Sequence, residues 1–293
     1  MNKNIKNLPA SIHQKLRNIA KNNDEDVEAV LYRYVAERFL YRLSISKYKN
    51  QFFLKGAFLF TIWKDEPHRT TRDIDFLGSI TNQIEELKKI FTHISSIPCE
   101  EDGLFFDSDS IKGELIMEGK SYGGTCFKQY VRLGKIKIVL KIDVGFGDVI
   151  TPHAEEKEFP SLLGMAKPKI KAYPIYTVIA EKLEAMVALD MNNTRLKDFY
   201  DLWFLMKNFE IDTDQLIQAI KNTFSRRGTS IPIETPIALT EKFSLDEGKR
   251  TQWRAFLRKN DFKEEQFELK EVISSLNQFF SPILDNLLKP KST

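Results

Sequence analysis

Residues 135–144, Lys-Ile-Lys-Ile-Val-Leu-Lys-Ile-Asp-Val, alternate with a period of two. An extended strand turns successive side chains to opposite faces. Ile136, Ile138, Leu140 and Ile142 therefore share one side, and Lys135, Lys137, Val139, Lys141 and Asp143 the other. Such a strand belongs in a sheet with one face covered and one face open. Gly134 precedes it, and 126–133 is a second strand-like run, which predicts a hairpin with Gly134 in the turn. A third strand-like run occupies 111–117.

The remaining pattern divides the chain. Apolar residues recur at three and four in 9–22, in 25–46 (Val27, Val30, Leu31, Tyr34, Val35, Phe39, Leu43) and in 81–95, predicting helices with one buried face each. Residues 52–54 and 74–77 read as short strands. A Gly56 turn leads into a helix-like stretch, 57–63, and 65–71 reads as a polar loop. Residues 151–168 read as loop, with Pro152, Pro160 and Pro168, and beyond them the pattern is helical: 175–189, 197–209, 213–226, 239–243, 247–258 and 267–288. The expected fold is α+β. A mixed-sheet domain with helices (1–165) is followed by a mainly helical domain (166–293).

The 293 residues are 42% hydrophobic and include 22 Phe, which argues for packed cores and against disorder. Lys+Arg number 44 against 41 Asp+Glu, a balance too even to signal a polyanionic partner by itself. Cys99 and Cys126 form no CxxC or Cys/His cluster, which disfavours structural zinc and fits a reducing, cytoplasmic setting. No apolar run of signal-peptide length follows Met1, and no run of about 18 apolar residues occurs, so no membrane span is expected.

Two segments carry candidate chemistry: Leu54-Lys55-Gly56-Ala57-Phe58 and Thr71-Arg72-Asp73-Ile74-Asp75-Phe76. Asp73 and Asp75 share a strand face, and adjacent like charges gain from a cation such as Mg²⁺ or Mn²⁺. A Gly-containing turn entering a helix can present backbone N–H groups to an anion. Asp143 ends the alternating strand, where a third metal-binding acid would stand. Each feature has an ordinary reading too: solvated acids at a strand end, and a turn aspartate before Gly145. Asp198 and Asp201, near a helix start, suit the positive end of a helix dipole. Lys182, between Glu181 and Glu184, suits a solvated face.

Together these residues resemble the nucleotidyltransferase superfamily typified by DNA polymerase β. Two later blocks, Ile179-Ala180-Glu181-Lys182-Leu183-Glu184-Ala185 and Arg195-Leu196-Lys197-Asp198-Phe199-Tyr200-Asp201-Leu202, are similar to those of the AbiEii/MenT family of nucleotidyltransferase toxins. The resemblance spans about 52–206. It implies Asp73, Asp75, Lys182 and Asp198 as catalytic residues, and Gly56, Ala57, Arg72 and Lys182 at the nucleotide. Asp73, Asp75 and Asp143 would bind the metal. The chain departs from the pattern at Ala57, where the family often carries Ser or Gly. The implied activity moves a nucleoside monophosphate from an NTP to an acceptor hydroxyl. It admits a tRNA 3′ end as acceptor and an antitoxin protein as partner. The alternatives are a regulatory or binding module of the same fold, and transfer to a protein hydroxyl.

Arg69 and His68 flank the acids in sequence. Lys135, Lys137 and Lys141 form one basic strand face and Lys167, Lys169 and Lys171 another, each readable as solvated or as facing an RNA backbone. Arg226-Arg227-Gly228 reads as a helix stop.

Overall fold

The computed structural model describes residues 7–64, 69–118, 122–263 and 267–289. The chain forms two compact units: Met1–Gly147 with Ala154–Tyr173, and Asp148–His153 with Pro174–Thr293.

The first unit carries helices α1 (Leu8–Asn22), α2 (Val27–Ile45), α3 (Phe58–Lys64) and α4 (Ile84–Ser95). Its strands are β1 (Phe52–Lys55), β2 (Ile74–Gly78), β3 (Leu104–Phe106), β4 (Lys112–Glu118), β5 (Tyr122–Leu133), β6 (Ile136–Phe146), β7 (Glu155–Glu158) and β8 (Lys169–Ala172). Among the described residues these make one mixed sheet in the order β3-β5-β6-β2-β1-β8-β7, with β4 also on β5. The β2–β6 and β1–β8 pairs are parallel and the others antiparallel. The expected hairpin forms: Leu133 pairs with Ile136 across a turn in which Gly134 adopts φ +59°.

Two expectations change. Within the stretch read as loop, Glu155–Glu158 pairs with Lys169–Ala172. Neither short, charged strand carries an apolar alternation long enough to declare itself. The second of them also lies past the expected boundary at 165, so the sheet unit runs on to Tyr173, and residues 148–153 belong to the helical unit.

One sheet face is covered. Ile74, Phe76, Phe127, Leu140, Ile142 and Val144 are buried. Behind them Phe91 packs on Phe127 at 5.0 Å between ring centroids, on Phe52 at 5.3 Å and on Phe39 at 6.1 Å. Each such ring, fully buried, contributes roughly 1.5–3 kcal/mol.

The α2 helix is buried on more than the one apolar face its spacing predicts. Arg33, Glu37, Arg38 and Arg42 are also inside. Arg42 Nη1 donates to Asp102 Oδ2 at 2.5 Å, with Arg38 Nε 3.5 Å from the same oxygen. Glu37 accepts from Ser161 Oγ at 2.8 Å and from the Leu162 amide at 2.9 Å. Burial pushes the Glu37 carboxyl above the usual range, against the pull of those donors. These charges are partnered far along the chain, which helical spacing cannot reveal.

The second unit carries α5 (Ile175–Leu189), α6 (Leu196–Asn208), α7 (Thr213–Arg227), α8 (Glu241–Leu245), α9 (Glu247–Lys259) and α10 (Leu269–Leu288), the helical pattern expected. Thr177 Oγ1 accepts from the Thr151 amide at 2.8 Å and donates to the Thr151 carbonyl at 2.9 Å, tying 148–153 to the helices. Gly228, at φ +68°, ends α7 as the helix stop read from the sequence. Arg227 is a structural hub: it bonds Glu184 at 2.8 Å and Asp148 at 3.0 Å and lies 3.4 Å from Glu181.

Removing Asp102 strands two buried guanidinium groups. Asp102→Ala is therefore expected to lose about 3–5 kcal/mol of stability. Asp107→Ala, which breaks the partly exposed contact to Arg132 at 3.5 Å, is expected to lose at most about 1 kcal/mol. Guanidinium chloride unfolding of both variants checks the contrast, and equal losses would contradict it.

Candidate functional site

In the parallel pairing of β2 with β6, Asp75 stands opposite Asp143 and Ile74 opposite Ile142. In the antiparallel pairing of β1 with β2, Lys55 stands opposite Asp75. Directly paired residues face the same side of a sheet. Lys55, Asp75 and Asp143 thus form a row across three strands on the open face, while Ile74 and Ile142 go into the core. Cys126 of β5 continues the row beside Asp143. One step along the strands, Asp73 and Lys141 form a second row.

From its alternating position Lys141 reads as a plain basic-face lysine. Its ammonium in fact sits 3.0 Å from Asp73 Oδ1 and 3.0 Å from Asp143 Oδ2. Partial burial works to lower its pKa, but the two carboxylates prevail and hold it above the ordinary lysine value. Its backbone is anchored from the covered side: Tyr32 of α2 donates its hydroxyl to the Lys141 carbonyl at 3.2 Å and accepts from the Lys141 amide at 3.3 Å. Burial first, and then the charges of Asp73, Asp75 and Asp143, keep the Tyr32 phenol protonated. The Cys126 thiol, buried and beside the Asp143 carboxylate, is pushed up to about 12, so it is no nucleophile. Cys99 and Cys126 are both free and buried.

Gly56 follows β1 with φ +73°. A Cβ built there would lie 2.7 Å from Asp75 Cγ, closer than atoms can approach. Only glycine satisfies both the backbone angle and this approach to the carboxylate. Ala57 is buried, so its methyl lies inside and only its backbone can serve a ligand.

The second unit holds another cluster. Lys182 of α5 donates to Asp198 Oδ1 at 2.5 Å and to Asp201 Oδ2 at 2.7 Å, both on α6. Arg195 Nε lies 3.1 Å from Asp198 Oδ2. Asp198 is 2% exposed and Asp201 0%. Burial disfavours the Asp198 charge, but Lys182 and Arg195 overcome it and hold the carboxyl below the usual range. The three-residue spacing read from the sequence thus brings both acids onto one lysine, buried under it.

The other candidates scatter. Arg72 is exposed and pairs with Glu28 of α2 at 3.7 Å. Arg69 is part-exposed and donates to the Thr70 carbonyl at 3.4 Å. His68 lies outside the described residues. Lys169 and Lys171 stand opposite Glu158 and Glu156 of β7, so that basic set is matched by acids on the next strand. Lys55, Lys141 and Tyr32 join the site without a signal in the sequence. The register that places Lys55 and Lys141 emerges only when strands pair, and Tyr32 sits among the apolar residues of a buried helix.

The all-oxygen, anionic donors Asp73, Asp75 and Asp143 match a hard divalent cation. Asp143 Oδ1 is buried without a hydrogen-bond partner among the described residues, an acceptor suited to one. No three metal-binding side chains converge among the described residues, and the Lys141 ammonium lies between Asp73 and Asp143. Among the described residues no helix is long and apolar enough to cross a membrane.

The sequence matches, over residues 38–279, the family model described as the nucleotidyl transferase AbiEii toxin of a type IV toxin–antitoxin system. Among solved structures, the fold is similar to that of a Helicobacter pylori protein provisionally described as a nucleotidyltransferase. The TM-score is 0.51 and the identity 17%, covering 89% of this chain and 97% of that one. JHP933 from Helicobacter pylori matches with a TM-score of 0.49 at 17% identity over 87% and 93% of the two chains. No curated protein matches the chain.

A depressed folded-state pKa stabilises above the unfolded value, and the effect is lost as pH falls through the folded one. Asp198→Asn is thus expected to cost about 3 kcal/mol at pH 7. The gap to wild type should narrow below about pH 4. Thermal unfolding across pH 7 to 3 tests this, and a gap that does not change with pH would remove the ion pair as its cause.

Proposed function

The chain belongs to the AbiEii family of nucleotidyl transferase toxins of type IV toxin–antitoxin systems, and from that premise we propose that it transfers a nucleoside monophosphate from an NTP to the 3′ hydroxyl of a tRNA. The observation that carries the reading is the row of Asp75 and Asp143 beside Gly56 on the open face of the sheet. In the proposed reaction the acceptor oxygen bonds to the α-phosphorus, and the bond from that phosphorus to the α–β bridging oxygen breaks, releasing pyrophosphate. Asp73, Asp75 and Asp143 would hold Mg²⁺ or Mn²⁺, which supplies positive charge to the triphosphate and the departing pyrophosphate when bound.

The chain's own residues orient the reactants. Gly56 lets the Asp75 carboxylate pack against the turn, where any side chain would displace it, and the backbone of Gly56 and Ala57 is assigned to the phosphates. Asp75, on a central strand with Phe76 locked in the core behind it, is fixed for ligand binding. Lys182 is assigned to the triphosphate, with Asp198 and Asp201 holding its ammonium in one place. Asp198 is assigned to holding Lys182 and not to activating the acceptor, because a buried carboxylate already paired and with a lowered pKa is a poor proton acceptor. Positioning and charge stabilisation supply most of the catalysis in such reactions. The antitoxin of the system is the expected protein partner.

The assay supplies each of the four α-labelled NTPs in turn, with Mg²⁺ or Mn²⁺ and total tRNA. Wild type is expected to label RNA with a preferred nucleotide. Asp75→Asn should lose at least about 10³-fold in rate, and Lys182→Met about 10²-fold. Label in protein alone would move the acceptor to a protein hydroxyl, and no transfer with any nucleotide would sink the enzymatic reading. Gly56→Ala forces a Cβ against Asp75 at a positive φ. It is expected to lower the transfer rate about 10²-fold through displacement of that carboxylate, with thermal stability reduced by only about 1–2 kcal/mol. Full activity in this variant would contradict the close packing.

A further inference from the structure

The open face of the sheet does not stop at the acids. Along β6, Asp143 and Lys141 are followed by Val139 and Lys137. Their partners on β5 are Cys126, Lys128, Tyr130 and Arg132, and Arg132 is paired in turn with Phe105 of β3. Each step of two residues advances about 7 Å, so this ladder leads from the acid row for about 20 Å along one face. It is exposed where most sheet faces are covered: Phe105 is 60% accessible, Val139 47% and Tyr130 39%. Lys137 and Arg132 stand over the two aromatic rings, with the Lys137 ammonium 3.4 Å from the Tyr130 centroid and the Arg132 guanidinium 5.8 Å from that of Phe105.

We propose that this ladder is the track on which the polynucleotide acceptor lies, as a single strand, with its end at Asp143. The inference rests on the transfer reading above and names where its acceptor binds. Three observations carry it. Aromatic rings and cations alternate, as bases and phosphates do, and rings offer stacking to any base while cations follow the backbone. The positive charge is in excess: among the described residues, Lys112, Lys128, Arg132 and Lys137 face only Glu114, 3.4 Å from Lys128, and Asp107, 3.5 Å from Arg132. Both contacts are long, and both cations are at least half exposed, hence readily exchanged for phosphate. The basic residues on β8 show the contrast, since the glutamates of β7 stand opposite them. Finally, the track is continuous by strand register with the residues that would act on the acceptor's end. A protein partner would want a wide contiguous apolar centre, whereas here the only directly paired apolar side chains along the ladder, Tyr130 and Val139, lie between the Lys128–Lys141 and Arg132–Lys137 pairs.

The test measures binding of a fluorescent single-stranded oligoribonucleotide of mixed sequence by anisotropy, with full-length protein at several salt concentrations. Wild type is expected to bind with steep salt dependence. Arg132→Gln with Lys137→Gln should flatten the slope of log affinity against log salt by about 1.4. Phe105→Ala with Tyr130→Ala should weaken binding about tenfold or more and leave that slope unchanged. Lys169→Gln with Lys171→Gln should change neither. All six positions are on the surface or a sheet edge, and thermal midpoints within a few degrees of wild type establish that the variants fold. Absent binding by wild type, or wild-type affinity and slope in both face variants, would overturn the track. So would a loss of binding to a purified antitoxin while RNA binding stays intact, which would give the face to a protein partner. The two readings fail separately. RNA bound on this face without label transfer would sink the enzyme reading alone, and transfer undiminished in the face variants would sink the track alone. Asp75→Asn, expected to bind the oligonucleotide like wild type while transferring nothing, reports on both.

Discussion

The parallel register of β2 on β6 is the constraint on which the candidate chemistry depends. Shifted by one residue, Asp75 and Asp143 would face the aromatic core and Ile74 and Ile142 the solvent. Burying two carboxylates among phenylalanines is prohibitive, so the core that Phe52, Phe76, Phe91 and Phe127 build behind the sheet fixes which acids emerge in front. Tyr32 secures the end of this pairing by binding both backbone groups of Lys141 next to Ile142, where β2 begins.

Much of this is legible in the order of residues alone. The alternation of 135–144 predicts one buried and one open face, Gly134 predicts the hairpin turn, and a period of two places the acids of 73 and 75 together. The helical half is readable from steps of three and four. What escapes is long-range. Arg38, Arg42 and Asp102 are 60 or so positions apart and meet inside. The strands Glu155–Glu158 and Lys169–Ala172 are stabilised by their pairing, and their own alternation is too short and too charged to announce them. Asp198 and Asp201 are near neighbours on one helix by spacing, but their burial beneath Lys182 depends on how two helices pack.

The lysines show how little residue type says without register. Lys169 meets a glutamate strand, Lys182 is clamped by two buried carboxylates, Lys141 bridges the acids of the open face, and Lys137 rests on an exposed ring. All four stand in sequence contexts of alternating or flanking charge. Only the partner strand or helix decides whether the ammonium is neutralised, locked in place or left for a ligand.

The excursion of residues 148–153 into the helical unit has a consequence for how this chain can be cut and inherited. The helices are not a terminal cassette. Asp148 anchors Arg227, and Thr151 is bound by Thr177, so a protease that removed everything before Pro174 would carry off two supports of the part it left behind. The sheet unit is likewise interrupted, needing Lys169–Ala172 from beyond the excursion to pair with β1. Recombination at a single crossover would sever one unit or the other, which ties the acid row and the Lys182 cluster together as one heritable block.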